Sequence, residues 1–283
     1  MKSFNVTLIR IDDYPHSLAV LEAAQYIHWC LVACGYGSVL TTNRIDPDAH
    51  NIVFCAHLLN AAEIERFPAD TIIFNSEHLQ NKQAWYFDGP YGRFLDKFYV
   101  WDYSLKNIPR IGHDRTFFIP FLFCPDLVRT DIARTQDKTL AFYGAPTERR
   151  KKLLKEIEAA GVPVETIFGK YGAERDKEVF GARAILNLRQ FDEIVSFEPI
   201  RCFYPLTNGI PVISESSDRD PTFDFYKDWV FAFDTQDLAR GIAALYHDGD
   251  AFARLAAEKL TSFRQTSGAD AIGEAVAAYK ESL

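Results

Sequence analysis

The chain has 283 residues, of which 48% are hydrophobic and 25% charged, and a formal net charge of −8. That composition supports a sizeable buried core and excludes disorder, and the length suits two α/β domains of about 130 residues each or one larger domain. The acidity is spread along the chain without a basic block, which argues against free nucleic acid or an anionic membrane surface as the main partner.

Residues 5–11 predict a strand, followed by the polar turn Asp12-Asp13-Tyr14-Pro15-His16 and a helix from Ser17 to about residue 33, which Gly35 stops. Short apolar runs at 38–40, 51–55, 71–74 and 98–101 follow, separated by helical or loop segments such as 61–67 and 92–97. Strands alternating with helices imply a parallel sheet wound with right-handed crossovers. The pattern breaks at 117–138, where Pro120 and Pro125 precede a polar run, and this stretch is the expected linker. Alternation then restarts: strands at 138–143, 164–168, 184–188, 211–214 and 230–233, helices at 147–160, 173–181, 235–247, 251–264 and 269–282. Within VSFEPIRCFYPLTNGIPVISES, Glu198 stands at an N-cap, Pro199 takes the first helical position, Asn208-Gly209 ends the helix, and Glu215 lies just past the next strand.

The start MKSFNVTLIRIDDYPHS lacks a long apolar core with a small-residue cleavage site, and no run approaches the ~18 apolar residues of a membrane span. The five cysteines form no Cys-x-x-Cys pair and read as small buried apolar side chains, so the expectation is a protein of the reducing cytoplasm. High aromatic content fits both a large core and a site that stacks rings.

Chemistry concentrates at predicted strand ends. After the strand in TLAFYGAPTERRKKLLKEIEAAG, Gly144 opens a tight turn, Thr147 caps a helix, and Arg149, Arg150, Lys151 and Lys152 crowd its first turns. Cations there oppose the helix dipole by roughly 0.3–1 kcal/mol each, a penalty that a bound phosphate or diphosphate reverses. The alternative is a solvated basic face pairing with Glu156 and Glu158. Tyr171-Gly172 offers a ring beside flexible backbone where a base could stack, or a plain glycine turn. Glu198 and Arg201 share a helical face and either pair with each other or bind ribose hydroxyls and phosphate; Glu215 is a further donor-side candidate. In the first half, Asp12, Asp13 and His16, then Asn75 and Glu77, then Asp102 and Tyr103 all follow strands. His16 is the candidate general base with Asp12 or Asp13 to orient it, against a capping or surface role; Asn75, Glu77, Asp102 and Tyr103 are candidate acceptor ligands. Gly-x-Ser-x-Gly, His-Glu-x-x-His, Asp-x-Asp and Gly-x-Gly-x-x-Gly are all missing, which weakens hydrolase, metalloenzyme and dehydrogenase readings.

With these residues in hand, LAFYGAPTERRKKLLKEIEAAGV, IFGKYGAERDKEVFGARAILNL and FEPIRCFYPLTNGIPVISE resemble, in order and spacing, glycosyltransferases of the two-Rossmann-domain (GT-B) type, near the group 1 and CgeB-like families. The first half, through IIFNSEHL and VWDYSLKNI, is similar to their acceptor-side halves. The resemblance implies an α/β fold of two Rossmann-like domains facing across a cleft: 1–130 on the acceptor side, 131–265 binding a nucleotide-sugar, and a last helix at 266–283 packing back on the first. It also implies Gly144 and Arg149 at a diphosphate, Tyr171-Gly172 at the base, and Glu198 with Arg201 at ribose or phosphate. The commonest group 1 pattern has two glutamates eight apart, where this chain has Ser196 and Tyr204. The implied function is metal-independent transfer of a sugar from a nucleoside diphosphate sugar to a saccharide, lipid-linked or protein hydroxyl, as in bacterial cell-envelope assembly, with no cofactor. The alternatives are a non-catalytic sugar- or nucleotide-binding subunit of the same fold, or a sugar-nucleotide epimerase.

Overall fold

The computed structural model describes residues 2–79, 89–135 and 139–283. The expected strand start at Lys138 lies outside the described residues. The chain divides into two compact units, Met1–Asp126 with Ser267–Leu283, and Leu127–Thr266.

In the first unit six parallel strands, β1 (Phe4–Leu8), β2 (Ser38–Thr42), β3 (His50–Phe54), β4 (Ile72–Asn75), β5 (Tyr99–Asp102) and β6 (Thr116–Phe118), form a sheet in the order β2-β1-β3-β4-β5-β6. Every residue of β1, β3, β4 and β5 is buried. Strands covered on both faces need no alternation, which is why they read in sequence as short continuous apolar runs. The helices are α1 (Leu21–Ala33), α2 (Ala61–Ile64), α3 (Pro90–Lys97) and α4 (Ile108–Ile111). Three expectations shift here. The helix placed at Ser17 begins as a 3-10 turn, Pro15–Val20, and becomes α-helical only at Leu21, where Ser17 is no cap. The cap that does form is Asn60, whose side chain and Glu63 make a reciprocal capping box on α2. Phe117 and Phe118, expected in the linker, form β6, because β5 offers a free edge to pair with.

The second unit holds five parallel strands, β7 (Leu140–Tyr143), β8 (Val164–Ile167), β9 (Ala184–Asn187), β10 (Val212–Glu215) and β11 (Phe231–Phe233), in the order β11-β10-β9-β7-β8. Its helices are α5 (Glu148–Ala159), α6 (Gly172–Val179), α7 (Pro199–Thr207), α8 (Pro221–Tyr226), α9 (Leu238–His247) and α10 (Gly249–Arg264). Leu140, Phe142, Leu153, Ile157, Leu186 and Ile242 belong to one core cluster that joins the sheet to α5 and α9.

The last helix, α11 (Gly268–Glu281), belongs to the first unit and packs on α1. A Cβ at Gly268 would sit 2.7 Å from the Tyr26 ring and 2.9 Å from Cys30 Sγ, so only glycine admits this approach. Farther along, the Tyr279 hydroxyl donates to the Asp70 carbonyl oxygen (2.6 Å) and lies 2.9 Å from His50 Nδ1. Both partners are at the start of a strand or just before one, so the helix is fastened to the sheet end opposite the strand C-termini. Tyr279→Phe is expected to lower the stability of the chain by about 1–2 kcal/mol, the cost of leaving the Asp70 carbonyl unmet, measured as a shift in the urea midpoint.

Candidate functional site

In an open parallel sheet the strand order reverses at one point, and the crevice outside the carboxyl ends there is where ligands bind. In the second unit β7 connects outward to β8 and then back to β9, so the switch point lies between Tyr143 and Asn187. Gly144 follows β7 with φ +144°, a conformation that side-chain-bearing residues rarely adopt. A Cβ there would lie 3.3 Å from the Phe142 ring, 3.4 Å from Arg201 Nη2 and 3.6 Å from Arg150 Nη1. Two guanidinium groups thus converge on one bare stretch of backbone.

Both are held in place by neutral acceptors. Arg150, only 4% exposed, donates through Nε and Nη2 to the Leu188 carbonyl (3.1 and 2.9 Å) and through Nη1 to that of Ala145 (3.0 Å). Arg201 donates through Nε to the Tyr143 carbonyl (3.1 Å) and through Nη1 to Asn187 Oδ1 (2.7 Å), and its own carbonyl accepts from the Tyr143 hydroxyl. Both guanidiniums also lie over the Phe142 ring, at 5.2 and 5.8 Å. Burial, with the Arg201 charge beside it, pushes Arg150 down to about 9, and the Glu198 carboxylate opposes this from nearby. Arg201 therefore does not make the i,i+3 pair with Glu198 that their spacing allows. Glu198 itself stands at the N-cap of α7 without capping it through its side chain.

Arg149 and Glu215 occupy a different position from the one expected of donor ligands, since each is occupied by the other. Glu215, 1% exposed, accepts from Arg149 Nη1 (2.9 Å) and Nη2 (2.6 Å), the Arg189 backbone N–H (2.7 Å) and Nη2 (3.3 Å), and the Thr235 hydroxyl (2.9 Å). Arg149 also bonds Asp192 and the Arg189 carbonyl. This hub ties the ends of β9 and β10 to the start of α5 and to the loop entering α9. Desolvation raises the Glu215 pKa, but the Arg149 and Arg189 bonds outweigh it and hold the group below the usual carboxylate value.

Tyr204, standing where a glutamate pair would end, donates to Asp176 Oδ2 (2.8 Å), which also accepts from Arg129 (2.6 Å), while Arg175 lies 4.9 Å over the Tyr204 ring. The other position of that pair, Ser196, is buried, with its hydroxyl unbonded among the described residues. Tyr171 and Gly172 form the N-terminus of α6, where Gly172 has φ +51° and open space beside it.

In the first unit the order reverses between β1 and β3. Asp12, Asp13 and His16 are all exposed on the loop after β1, and His16 lies edge-on to Tyr14 at 5.1 Å. Asn75 and Asp102 are directly paired in the β4–β5 register and fully buried. Asp102 accepts from Asn75 Nδ2 (2.6 Å), the Ser104 N–H (2.7 Å) and Asn107 Nδ2 (3.2 Å), while Asn75 Oδ1 accepts from the Tyr91 hydroxyl (2.6 Å). Burial pushes Asp102 up to about 7 against these donors. Tyr103 is also fully buried, its ring edge-on to His78 at 6.2 Å. These three shape the loops and present no open face to a ligand.

The residue that sequence reasoning passed over is His57. It follows β3 on a turn opened by Cys55, a non-glycine residue at φ +59°. Its Nδ1 lies 3.2 Å from Glu77 Oε1, and the two side chains are 14% and 25% exposed. Tyr14 is held above its ordinary pKa by burial, then by the Glu77 charge and by Cys55, which brings the β1, β3 and β4 ends into one polar group. The register pairs Phe54 with Phe74, so the residues three further on from each, His57 and Glu77, are neighbours.

No protein-family model matches the chain. The uncharacterised protein L140 of Acanthamoeba polyphaga mimivirus is 26% identical over 201 residues, covering 69% of this chain; the match spans 64% of L140's own length. Among solved structures, WaaG, a glycosyltransferase involved in lipopolysaccharide biosynthesis, superposes with TM-score 0.58 at 12% identity over 98% of this chain and 99% of its own. T4 phage β-glucosyltransferase, a DNA modifying enzyme solved with and without uridine diphosphoglucose, gives TM-score 0.59 at 11% identity over 99% and 100%. The same T4 enzyme in complex with UDP and Mn2+ gives 0.56. At these identities the likeness establishes the fold, which is the GT-B fold of two Rossmann-like units.

Replacing Glu215 by Gln is expected to cost about 3 kcal/mol at neutral pH, because Arg149 and Arg189 lose a buried counter-charge. Since the folded-state pKa lies below the unfolded one, this stabilisation is present above the ordinary carboxylate pKa and lost as pH falls through the depressed value. Chemical denaturation of both proteins across the acid range should show their difference shrinking as pH falls.

Proposed function

We propose that this protein is a glycosyltransferase that moves a sugar from a nucleoside diphosphate sugar to a hydroxyl acceptor, with the donor diphosphate held in the second unit by the Gly144 turn, Arg150 and Arg201. The observation that carries this reading is the pair of guanidiniums converging on Gly144 while bonding only carbonyl and amide oxygens. Like charges brought together without a hydrogen-bonded carboxylate are a standing cost, and a diphosphate removes it with charge-assisted bonds. The place agrees with the switch-point rule, and the missing side chain lets phosphate oxygens approach the backbone.

On this reading Arg149 and Glu215 serve as the scaffold that sets the strand ends, and Glu198 and the Tyr171-Gly172 turn are assigned to ribose and base. In the departing step the two arginines take up the negative charge that grows on the leaving diphosphate. The diphosphate charge is met on this reading by the two guanidinium groups, and a metal carried by the nucleotide, as in the T4 complex with UDP and Mn2+, would add to them.

Lipopolysaccharide assembly is named for one neighbour and DNA modification for another, so the acceptor class rests on this chain's own first unit. Exposed Asp12 and Asp13 on the strand-end side repel a polyanion and favour an uncharged polyhydroxyl acceptor, as in envelope polysaccharide assembly by a cytoplasmic enzyme. UDP should bind the protein in the presence of EDTA, and Arg201→Ala should weaken it about 10- to 100-fold by titration calorimetry. Equal affinity in the two proteins would remove Arg201 from the donor site.

A further inference from the structure

Resting on the transferase reading, we propose that His57, oriented by Glu77, is the general base that takes the proton of the acceptor hydroxyl in the first unit. Three observations carry it. His57 Nδ1 is shielded from water and lies 3.2 Å from Glu77 Oε1 without the alignment of a formed hydrogen bond, a geometry that tightens when a ligand fills a site. The turn that presents His57 starts at Cys55 in the left-handed region, a backbone conformation of the kind that persists where surrounding structure imposes it. The pair lies at the ends of β3 and β4, beside the β1/β3 switch point, with Tyr14 close enough to feel the Glu77 charge.

His16, by contrast, is exposed. The Glu77 side chain is positioned by its backbone, whose N–H donates to Asn75 Oδ1 (3.1 Å) and whose carbonyl accepts from Asn75 Nδ2 (3.0 Å) and Asn107 Nδ2 (2.9 Å). The Nδ1 edge of the ring faces Glu77 at 3.2 Å, which leaves Nε2 as the nitrogen to take the proton. In the step, Nε2 takes the acceptor proton and the acceptor oxygen's electron pair forms the bond to the anomeric carbon. The carbon–oxygen bond to the diphosphate breaks, its electron pair leaves with the nucleoside diphosphate, and the imidazolium returns its proton to water. Glu77 is a positioning residue, acting through His57.

The test uses UDP-glucose as donor and water as the acceptor, read as UDP release, with sodium azide as a second nucleophile that carries no proton to remove. His57→Asn is expected to lose water-dependent release by about 100-fold or more while azide restores release to near the wild-type rate and UDP affinity stays unchanged. Glu77→Gln, which leaves the supporting backbone bonds in place, should show a smaller loss in the same direction, also bypassed by azide. Wild-type rates in both variants, a loss that azide does not restore, or a loss confined to His16→Asn would overturn the assignment. So would wild-type protein that binds UDP but releases none with either nucleophile. Failure of wild-type protein to bind UDP at all would instead overturn the donor reading beneath it, and the calorimetric arm reads that separately.

Discussion

The second unit is organised around an electrostatic imbalance: two guanidiniums lie beside one glycine, and their hydrogen bonds end on neutral oxygens. Arg150 is buried deeply enough that its charge is held at a cost, visible in a pKa brought down to about 9. A fold keeps such an arrangement when something else completes it. The contrast with Arg149 is instructive, because that neighbour in sequence has its charge met twice, by Glu215 and Asp192. One helix start therefore carries two arginines in different settings, and the difference between them is which oxygens they meet: carboxylates for Arg149 and backbone carbonyls for Arg150.

The first unit repeats the division. Asn75 and Asp102 lie inside at the ends of β4 and β5, bonded to each other and to the loops they shape, while Glu77 stands just past the end of β4 and His57 just past the end of β3. The buried amide–carboxylate network fixes the backbone of residue 77, and that fixed backbone places the carboxylate beside the imidazole. Preorganisation of this kind is what lets a side chain act on a substrate without first being ordered by it.

Much of the architecture is legible in the sequence because parallel strands and their crossover helices carry local signals. Glycine at 144 and the Glu-Pro start of α7 marked their turns correctly, since φ > 0 and a helical first position are single-residue constraints. The limits of β6 and the 3-10 start before α1 were not legible; edge pairing with β5 decides the first, and packing rather than a cap decides the second. The site followed the same division. The Gly144 turn and the cations after it are local and stand out in the sequence, whereas the Arg149–Glu215 pair joins residues 66 apart and only tertiary structure shows that each bonds the other. His57 was missed because a lone histidine after an apolar run looks ordinary until register sets Glu77 beside it.

On the proposed reading the diphosphate, rather than the nucleoside, is the group that the second unit recognises. Titration calorimetry of UDP and of uridine, in EDTA and at two salt concentrations, tests this directly. The account predicts that UDP binds at least about 100-fold more tightly than uridine, since two charge-assisted contacts are lost with the phosphates, and that the UDP advantage shrinks at high salt. Equal affinities for the two, insensitive to salt, would contradict it.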